Sequence, residues 1–247
     1  MSSQNTRQLR IALLGASGRM GRQIETLAER ASDLDVAGRW SRDSVLADAL
    51  RGCDVAIDFT RAEATQALVD GILESECALV TGTTGRDSQQ VAAIENLANT
   101  RSVFVASNMS VAVNLLQAMV ARAAAALPGF DIEVSESHHS GKVDAPSGTA
   151  LTLGHAAASA RGIEDWQPEL RGAGQRTTGE IGFSVQRGGN VIGEHTVSFF
   201  GERERLVLSH RAEDRQLFAA GALDAARWLV DQPAGLYGMQ DLVASLA

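Results

Sequence analysis

Two adjacent histidines and a lysine fall within five residues of one another: His138, His139 and Lys142. They lie in the run Glu136-Ser137-His138-His139-Ser140-Gly141-Lys142-Val143-Asp144-Ala145-Pro146-Ser147-Gly148-Thr149-Ala150. Imidazole titrates nearest neutrality and an ammonium is a compact positive charge, so this cluster can move a proton and hold an anion. A helix start follows at once. Pro146 suits a first-turn position, Ser147 or Thr149 suits the cap, and the N–H groups around Gly148 and Thr149 offer a carboxylate site. Taken alone, these residues leave three other readings open. The histidines could be surface residues of a polar loop, Lys142 a solvated turn lysine, or His138 and His139 zinc ligands with Glu136 or Asp144. No HExxH spacing and no cysteine ligand supports the last of these, and no metal is expected.

A second chemical feature stands near the N-terminus. Gly15-Ala16-Ser17-Gly18-Arg19-Met20-Gly21 follows the apolar run Leu9–Leu14 and opens a helical pattern. Such a strand–turn–helix needs glycine to turn tightly, to let a pyrophosphate approach the backbone, and to pack helix on strand. The helix N-terminus then presents N–H groups and partial positive charge to phosphates. In NAD-preferring proteins an acidic residue about twenty positions on holds the ribose 2′-hydroxyl. Here the position is Ser41, next to Arg42, a pair able to hydrogen-bond and neutralise a 2′-phosphate. The expected cofactor is therefore NADPH and/or NADH, leaning to NADPH. Gly82-Thr83-Thr84-Gly85 and Ala106-Ser107-Asn108-Met109 follow later strand patterns and suit contact with the nicotinamide end.

The elements that must position these groups change character midway. Up to Asn108, short apolar strands (Leu9–Leu14, Val55–Phe59, Ala78–Val80, Ser102–Ala106) alternate with helical segments at about Arg19–Ala31, Ala62–Glu74 and Ser88–Leu97, the rhythm of a doubly wound parallel sheet. Beyond it come a long helix at about Val111–Leu127, a strand pattern at Phe130–Ser135 and a helix at about Ser147–Ala160. Three further strand patterns follow, Ile181–Gln186, Val191–Phe200 and Arg205–His210. Arg187-Gly188-Gly189-Asn190 reads as the turn between the first two. A helix at about Gln216–Val230 and a short tail close the chain. The fold class is α/β: a Rossmann-like doubly wound parallel sheet with a second, smaller α+β domain built on a mixed sheet.

Bulk properties narrow the function. With 247 residues and 45% hydrophobic content, the chain can bury a full core. No apolar run reaches membrane-span length, and Met1–Arg10 is polar, which points to a cytoplasmic protein without membrane contact. The net charge of −8 counts against nucleic acid as a partner. Cys53 and Cys77 form no CxxC pair and read as reduced core thiols.

The run from Glu136 to Ala150 resembles the signature of the dihydrodipicolinate reductases, also called 4-hydroxy-tetrahydrodipicolinate reductases. Gly15–Gly21, Asp58-Phe59-Thr60, Gly82–Gly85, Asn108 with Ser110-Val111, Gly193-Glu194-His195-Thr196 and Gly235-Leu236-Tyr237 agree with it in order, so the resemblance spans about Arg10 to Val243. It implies hydride transfer from NAD(P)H to C4 of a cyclic unsaturated imine, a small dianionic heterocycle, in diaminopimelate and lysine biosynthesis. It implies His138 and Lys142 as acid/base residues and His139, Lys142, Gly148 and Thr149 as substrate contacts. Cofactor contacts would be Gly15, Ala16, Ser17, Gly18, Arg19, Met20, Ser41, Arg42, Gly82, Thr83, Thr84, Ala106, Ser107, Asn108 and Met109. It further implies a dinucleotide-binding domain over 1–109, with 216–247 packing back on it, and a substrate-binding and oligomerisation domain over 110–215, assembled as a homotetramer. Ser41 departs from the acidic residue many members carry, and Ser107 and Met109 replace a proline and an aromatic residue beside Asn108. The competing readings are another two-domain imino- or amino-acid dehydrogenase, a non-catalytic NADP(H)-sensing protein, and a zinc enzyme.

Overall fold

The computed structural model of the chain describes residues 7–41 and 44–246. It divides into two compact units, Met1–Ser110 with Gln216–Ala247, and Val111–Arg215.

The first unit is built on six strands: β1 (Leu9–Leu14), β2 (Leu34–Trp40), β3 (Val55–Asp58), β4 (Ala78–Thr81), β5 (Ser102–Val105) and β11 (Gly235–Tyr237). They lie in the order β11-β5-β4-β3-β1-β2, every pair parallel. The central strands are apolar up to their carboxyl ends, where Asp58 and Thr81 stand, because helices cover both faces. Ile11–Leu14, Val55–Ile57 and Leu79–Val80 are fully shielded. On one face α3 (Thr65–Glu74) and α4 (Ser88–Leu97) bury Leu68, Ile72, Ile94 and Leu97 against Ala12, Ala56, Leu79 and Val103. α7 (Gln216–Leu229) packs on β3, β4 and β5 and against α1 (Arg19–Ala28). After α7 the chain adds β11 to the sheet edge and ends in α8 (Met239–Ser245).

Two elements leave little trace in the sequence. β2 is an edge strand in which only Leu34 and Gly38 are buried, so its apolar signal is faint. α2 (Leu46–Leu50) is too short to show a helical period.

In the second unit β6 (Asp131–His138), β7 (Glu169–Leu170), β8 (Ile181–Arg187), β9 (Glu194–Phe200) and β10 (Arg205–Arg211) form a mixed sheet in the order β10-β9-β6-β8-β7. The segment after Arg187 is therefore not a hairpin turn. β6 lies between β8 and β9, pairing parallel with the first and antiparallel with the second. A two-residue turn geometry cannot join strands separated by a third. α5 (Val111–Ala126) and α6 (Gly148–Ala160) lie on one face. There Leu116, Val120, Leu153 and Ala157 meet Ile132, Val134, Phe183, Val197 and Phe199.

β6 runs three residues past the predicted end at Ser135. Its strict alternation sends Ile132, Val134, Glu136 and His138 inward, so the row that begins as apolar core ends in two buried titratable groups.

Candidate active site

The glycine turn at the carboxyl end of β1 has the backbone that a dinucleotide site requires. Gly15 has φ +83°, a conformation L side chains rarely adopt, and its N–H donates to the Trp40 carbonyl at 3.0 Å. A Cβ on Gly21 would lie 2.4 Å from the Gly15 oxygen and 2.7 Å from the Ala16 Cα, so only glycine lets α1 sit down on the loop. Gly18 caps α1 in extended conformation and brings no capping side chain. The N–H groups of that first turn are thus not covered by a side chain of the cap residue.

A cleft of about 490 Å³ beside this turn is lined by Arg19, Met20, Phe59, Thr60 and the residues Gly82–Gly85. Within it the Thr83 hydroxyl is buried and has no hydrogen-bonding partner. An orphaned hydroxyl in the cleft and a helix N-terminus without a capping side chain together fit a bound dinucleotide. A larger depression of about 670 Å³ at the other end of the sheet is a poorer candidate. Its Arg7 and Arg227 are tied to Asp54 and Asp33, and ligands of doubly wound sheets bind at the carboxyl ends of the strands.

The loops of the cleft are held by a buried ion pair. Asp58, at the end of β3, accepts from the Thr60 N–H and hydroxyl through one oxygen. Its other oxygen accepts from Thr81 Oγ1 and from the Arg86 guanidinium at 3.0 Å. Arg86 also donates to the Thr83 carbonyl and to Thr65 Oγ1. Asp58 thereby ties β3 to the Gly82–Gly85 loop. Of the other predicted cofactor residues, Ser41 follows β2 and its N–H donates to Ser44 Oγ; Arg42 lies outside the described residues. Ala106–Met109 follow β5, anchored by Ala106 N–H to the Thr81 carbonyl and by the Asn108 side chain accepting from Ser110 N–H. They do not line the cleft beside Arg19.

In the second unit, His138 is a strand residue, buried at the end of β6, and not part of a polar loop. Its Nδ1 makes a short hydrogen bond to Glu136 Oε2. The Glu136 side chain is wholly shielded from solvent. It accepts two bonds from Arg187 (3.0 Å to Oε2, 2.8 Å to Oε1) and one from the Ser147 N–H (3.0 Å to Oε1). Burial pushes the Glu136 carboxyl upward, but Arg187, His138 and the Ser147 N–H outweigh it and hold it below the usual glutamate value. Burial pushes the His138 imidazole down. Glu136 pulls against that, while the charges of Lys142 and Arg187 add to it, and the net displacement is downward.

His195 stands across the sheet from Glu136 on β9, its ring edge-on to that of His138 with centroids 5.1 Å apart. Burial and then the neighbouring His138 push it down to about 4. Its Nε2 lies 3.2 Å from Ser147 Oγ, which also caps α6 by accepting from Ala150 N–H. Ser147 is the cap, and Pro146 precedes it, outside the first turn. Lys142 Nζ donates to both carboxylate oxygens of Asp144 at 2.8 and 2.9 Å, on the loop between β6 and α6. That ammonium holds the Asp144 carboxyl below its usual value. His139 begins the turn that ends at Lys142 N–H. At Gly148 a Cβ would meet only open space.

The donors that the fold assembles differ from the zinc set weighed from sequence. Among the described residues, ligating atoms within 4.8 Å of one another belong to Glu136, His138 and His195, without His139 or Asp144. Arg187 already occupies both Glu136 oxygens, and a dication there would sit against a fixed guanidinium. Arg187, read as a turn residue, and Arg86 are the residues that sequence reasoning missed. The available signal was an acid and a histidine in the apolar phase of an alternating strand, and an aspartate ending a buried one. Each such carboxylate demands a cation.

A parallel sheet wound around a glycine turn, in one chain with a mixed sheet carrying a buried glutamate–histidine cluster, is the architecture of a nicotinamide-dependent oxidoreductase. The chain belongs to the dihydrodipicolinate reductase family. The family model for the N-terminus of dihydrodipicolinate reductase matches residues 9–109, and the one for its C-terminus matches residues 112–243. The 4-hydroxy-tetrahydrodipicolinate reductase of Caulobacter vibrioides is 46% identical over 249 residues, covering 95% of this chain and 97% of the relative. That of Zymomonas mobilis is 42% identical over 247 residues, with the same coverage. Among solved structures, the dipicolinate-bound dihydrodipicolinate reductase of Paenisporosarcina sp. TG-14 shares the fold, with TM-score 0.79 and 24% identity over 95% of this chain and 99% of that one. No helix among the described residues is long and apolar enough to cross a membrane.

Two outcomes follow for stability. Arg86→Met strands a buried carboxylate, with an expected loss of about 3–5 kcal/mol in chemical denaturation. Adding Asp58→Asn should recover much of it, and a full loss in the double variant would contradict the pairing. His195 is neutral in the fold down to about 4 but takes a proton near its ordinary 6.5 when unfolded. Its contribution to stability is complete above about pH 6.5 and is lost as the pH falls through 4. The denaturation midpoint should decline across that window, and less steeply in His195→Gln.

Proposed function

We infer that this chain catalyses the NAD(P)H-dependent reduction of 4-hydroxy-tetrahydrodipicolinate to tetrahydrodipicolinate in diaminopimelate and lysine biosynthesis. The observation that carries this reading is the buried Glu136–His138 pair, with Lys142 on the loop that follows, in a chain of the dihydrodipicolinate reductase family. When bound, the reduced nicotinamide supplies a hydride to C4 of the substrate ring.

The chain's own residues do the remaining work. Reduction at C4 of a conjugated imine leaves an enamine that must take up a proton, and of the acid/base pair His138 and Lys142 it is His138 that gives it. Lys142 and the start of α6 at Gly148 and Thr149 hold the two substrate carboxylates, with His139 beside them. Lys142 exchanges its Asp144 partner for a substrate carboxylate, and its ammonium stabilises charge developing in the transition state. On the first unit, Gly15–Met20 receive the pyrophosphate, and Thr83 with Gly82 and Thr84 hold the nicotinamide end, supported by Ala106–Met109. Ser41 and Arg42 favour NADPH, because neither repels a 2′-phosphate. The working form is a cytoplasmic homotetramer. The face of the mixed sheet opposite α5 and α6, where Phe200 and Val207 are partly exposed, is the surface on which copies would meet.

Cofactor oxidation in a coupled assay, with substrate generated from pyruvate and aspartate semialdehyde, tests the activity. Substrate-dependent turnover is expected, with kcat/KM higher for NADPH. Ser41→Asp should reverse that preference by about tenfold or more. His138→Gln should lower kcat far more than it raises KM, and Lys142→Ala should lower kcat and raise KM together. Near-wild-type kinetics in either variant would remove that residue from its role. Cofactor binding without turnover would instead favour an NADP(H)-sensing protein.

A further inference from the structure

Glu136 touches no solvent and so no substrate, yet four donors converge on it. An anion so saturated with N–H groups can only accept, and the atom that His138 offers it is Nδ1. We propose that Glu136, clamped by Arg187, is the positioning residue of the reaction, fixing His138 in the Nδ1–H tautomer so that the proton is exchanged through Nε2. This rests on the reading of His138 as the proton donor.

The surroundings of Nε2 agree with that assignment. A Cβ on Gly193 would lie 3.0 Å from it, so the glycine keeps the working nitrogen clear. Gly193 has an unstrained backbone conformation, which leaves space as the reason for its presence. Arg187 holds Glu136 by its fork from β8 and also donates to the Asp144 carbonyl, tying the clamp to the loop that carries Lys142. The charged and titratable groups facing His138 are Glu136 on its own strand, Arg187 on β8, His195 on β9 and Lys142 on the loop, with His210 beyond His195 on β10. Among them Glu136 is the one anion, and it stabilises the imidazolium that must form on reprotonation.

Glu136→Gln separates positioning from mere structure. A glutamine offers one oxygen where four donors converge. Its NH2 is best placed toward His138, the only one of them that can become an acceptor by moving its proton to Nε2. The expected result is a fall in kcat on the order of 10²-fold with the substrate KM little changed. The alkaline limb of the kcat profile should move to lower pH, because the anion that favoured imidazolium is gone. Glu136→Asp, which keeps the charge, should retain the wild-type limb.

Long-range proton–nitrogen NMR of His138 reads the tautomer without any turnover. Neutral His138 should carry its proton on Nδ1 in the wild type and on Nε2 in Glu136→Gln. A wild-type proton on Nε2 overturns the proposal, even if the glutamine variant fails to fold. So does a glutamine variant whose activity falls while tautomer and pH limb stay as in the wild type. Failure of His138 as the proton donor would appear separately, as near-wild-type kinetics in His138→Gln with the Nδ1 tautomer intact.

Discussion

A carboxylate buried without water is tolerable only when every lone pair is taken, and the second unit is arranged around meeting that demand at Glu136. β8 supplies Arg187, the start of α6 supplies the Ser147 N–H, and β6 itself supplies His138. Removing any one donor would leave the others holding an under-satisfied ion, so the three elements share one energetic condition. The position of β6 between β8 and β9 follows from the same condition. Only a central strand can have Arg187 beside it on one flank and His195 on the other. The loop that bears Lys142 begins where this arrangement ends and is tied back to it by Arg187.

The first unit solves a different problem by the same means. Its glycine turn packs by backbone, with α1 seated directly on Gly15 and Ala16 and no capping side chain at Gly18. Asp58 and Arg86 fasten the end of β3 to the Gly82–Gly85 loop through a pair that water scarcely reaches. In both units an acid at the carboxyl end of an inner strand is joined to an arginine from a later segment. The rigid scaffold thus reaches into loops that would otherwise be free to drift.

Much of this was legible in the residues. The alternation of apolar strands and helices and the glycine turn mark out the parallel sheet of the first unit, because each rests on local spacing, while the histidine–lysine run carries the family resemblance. The hidden parts are those that depend on partners distant in sequence. Arg187 reads as a turn residue because nothing local says that β6 will lie between β8 and β9. Arg86 reads as a loop arginine because its partner is 28 residues away. β2 escapes notice because an edge strand buries too little for its period to show. The extent of β6 was misjudged for a subtler reason. Glu136 and His138 occupy inward positions, and polar residues there look like the end of a strand.

That inward row has a consequence for how the protein can change. Ile132 and Val134 are pinned by the helices above them, and Glu136 and His138 follow in the same phase. A one-residue shift of the register of β6 would turn all four to the opposite face at once. The core contacts and the Glu136–His138 pair therefore share a single reading frame along this strand. Selection on the apolar half constrains the polar half, and the pairing can be inherited only as a block.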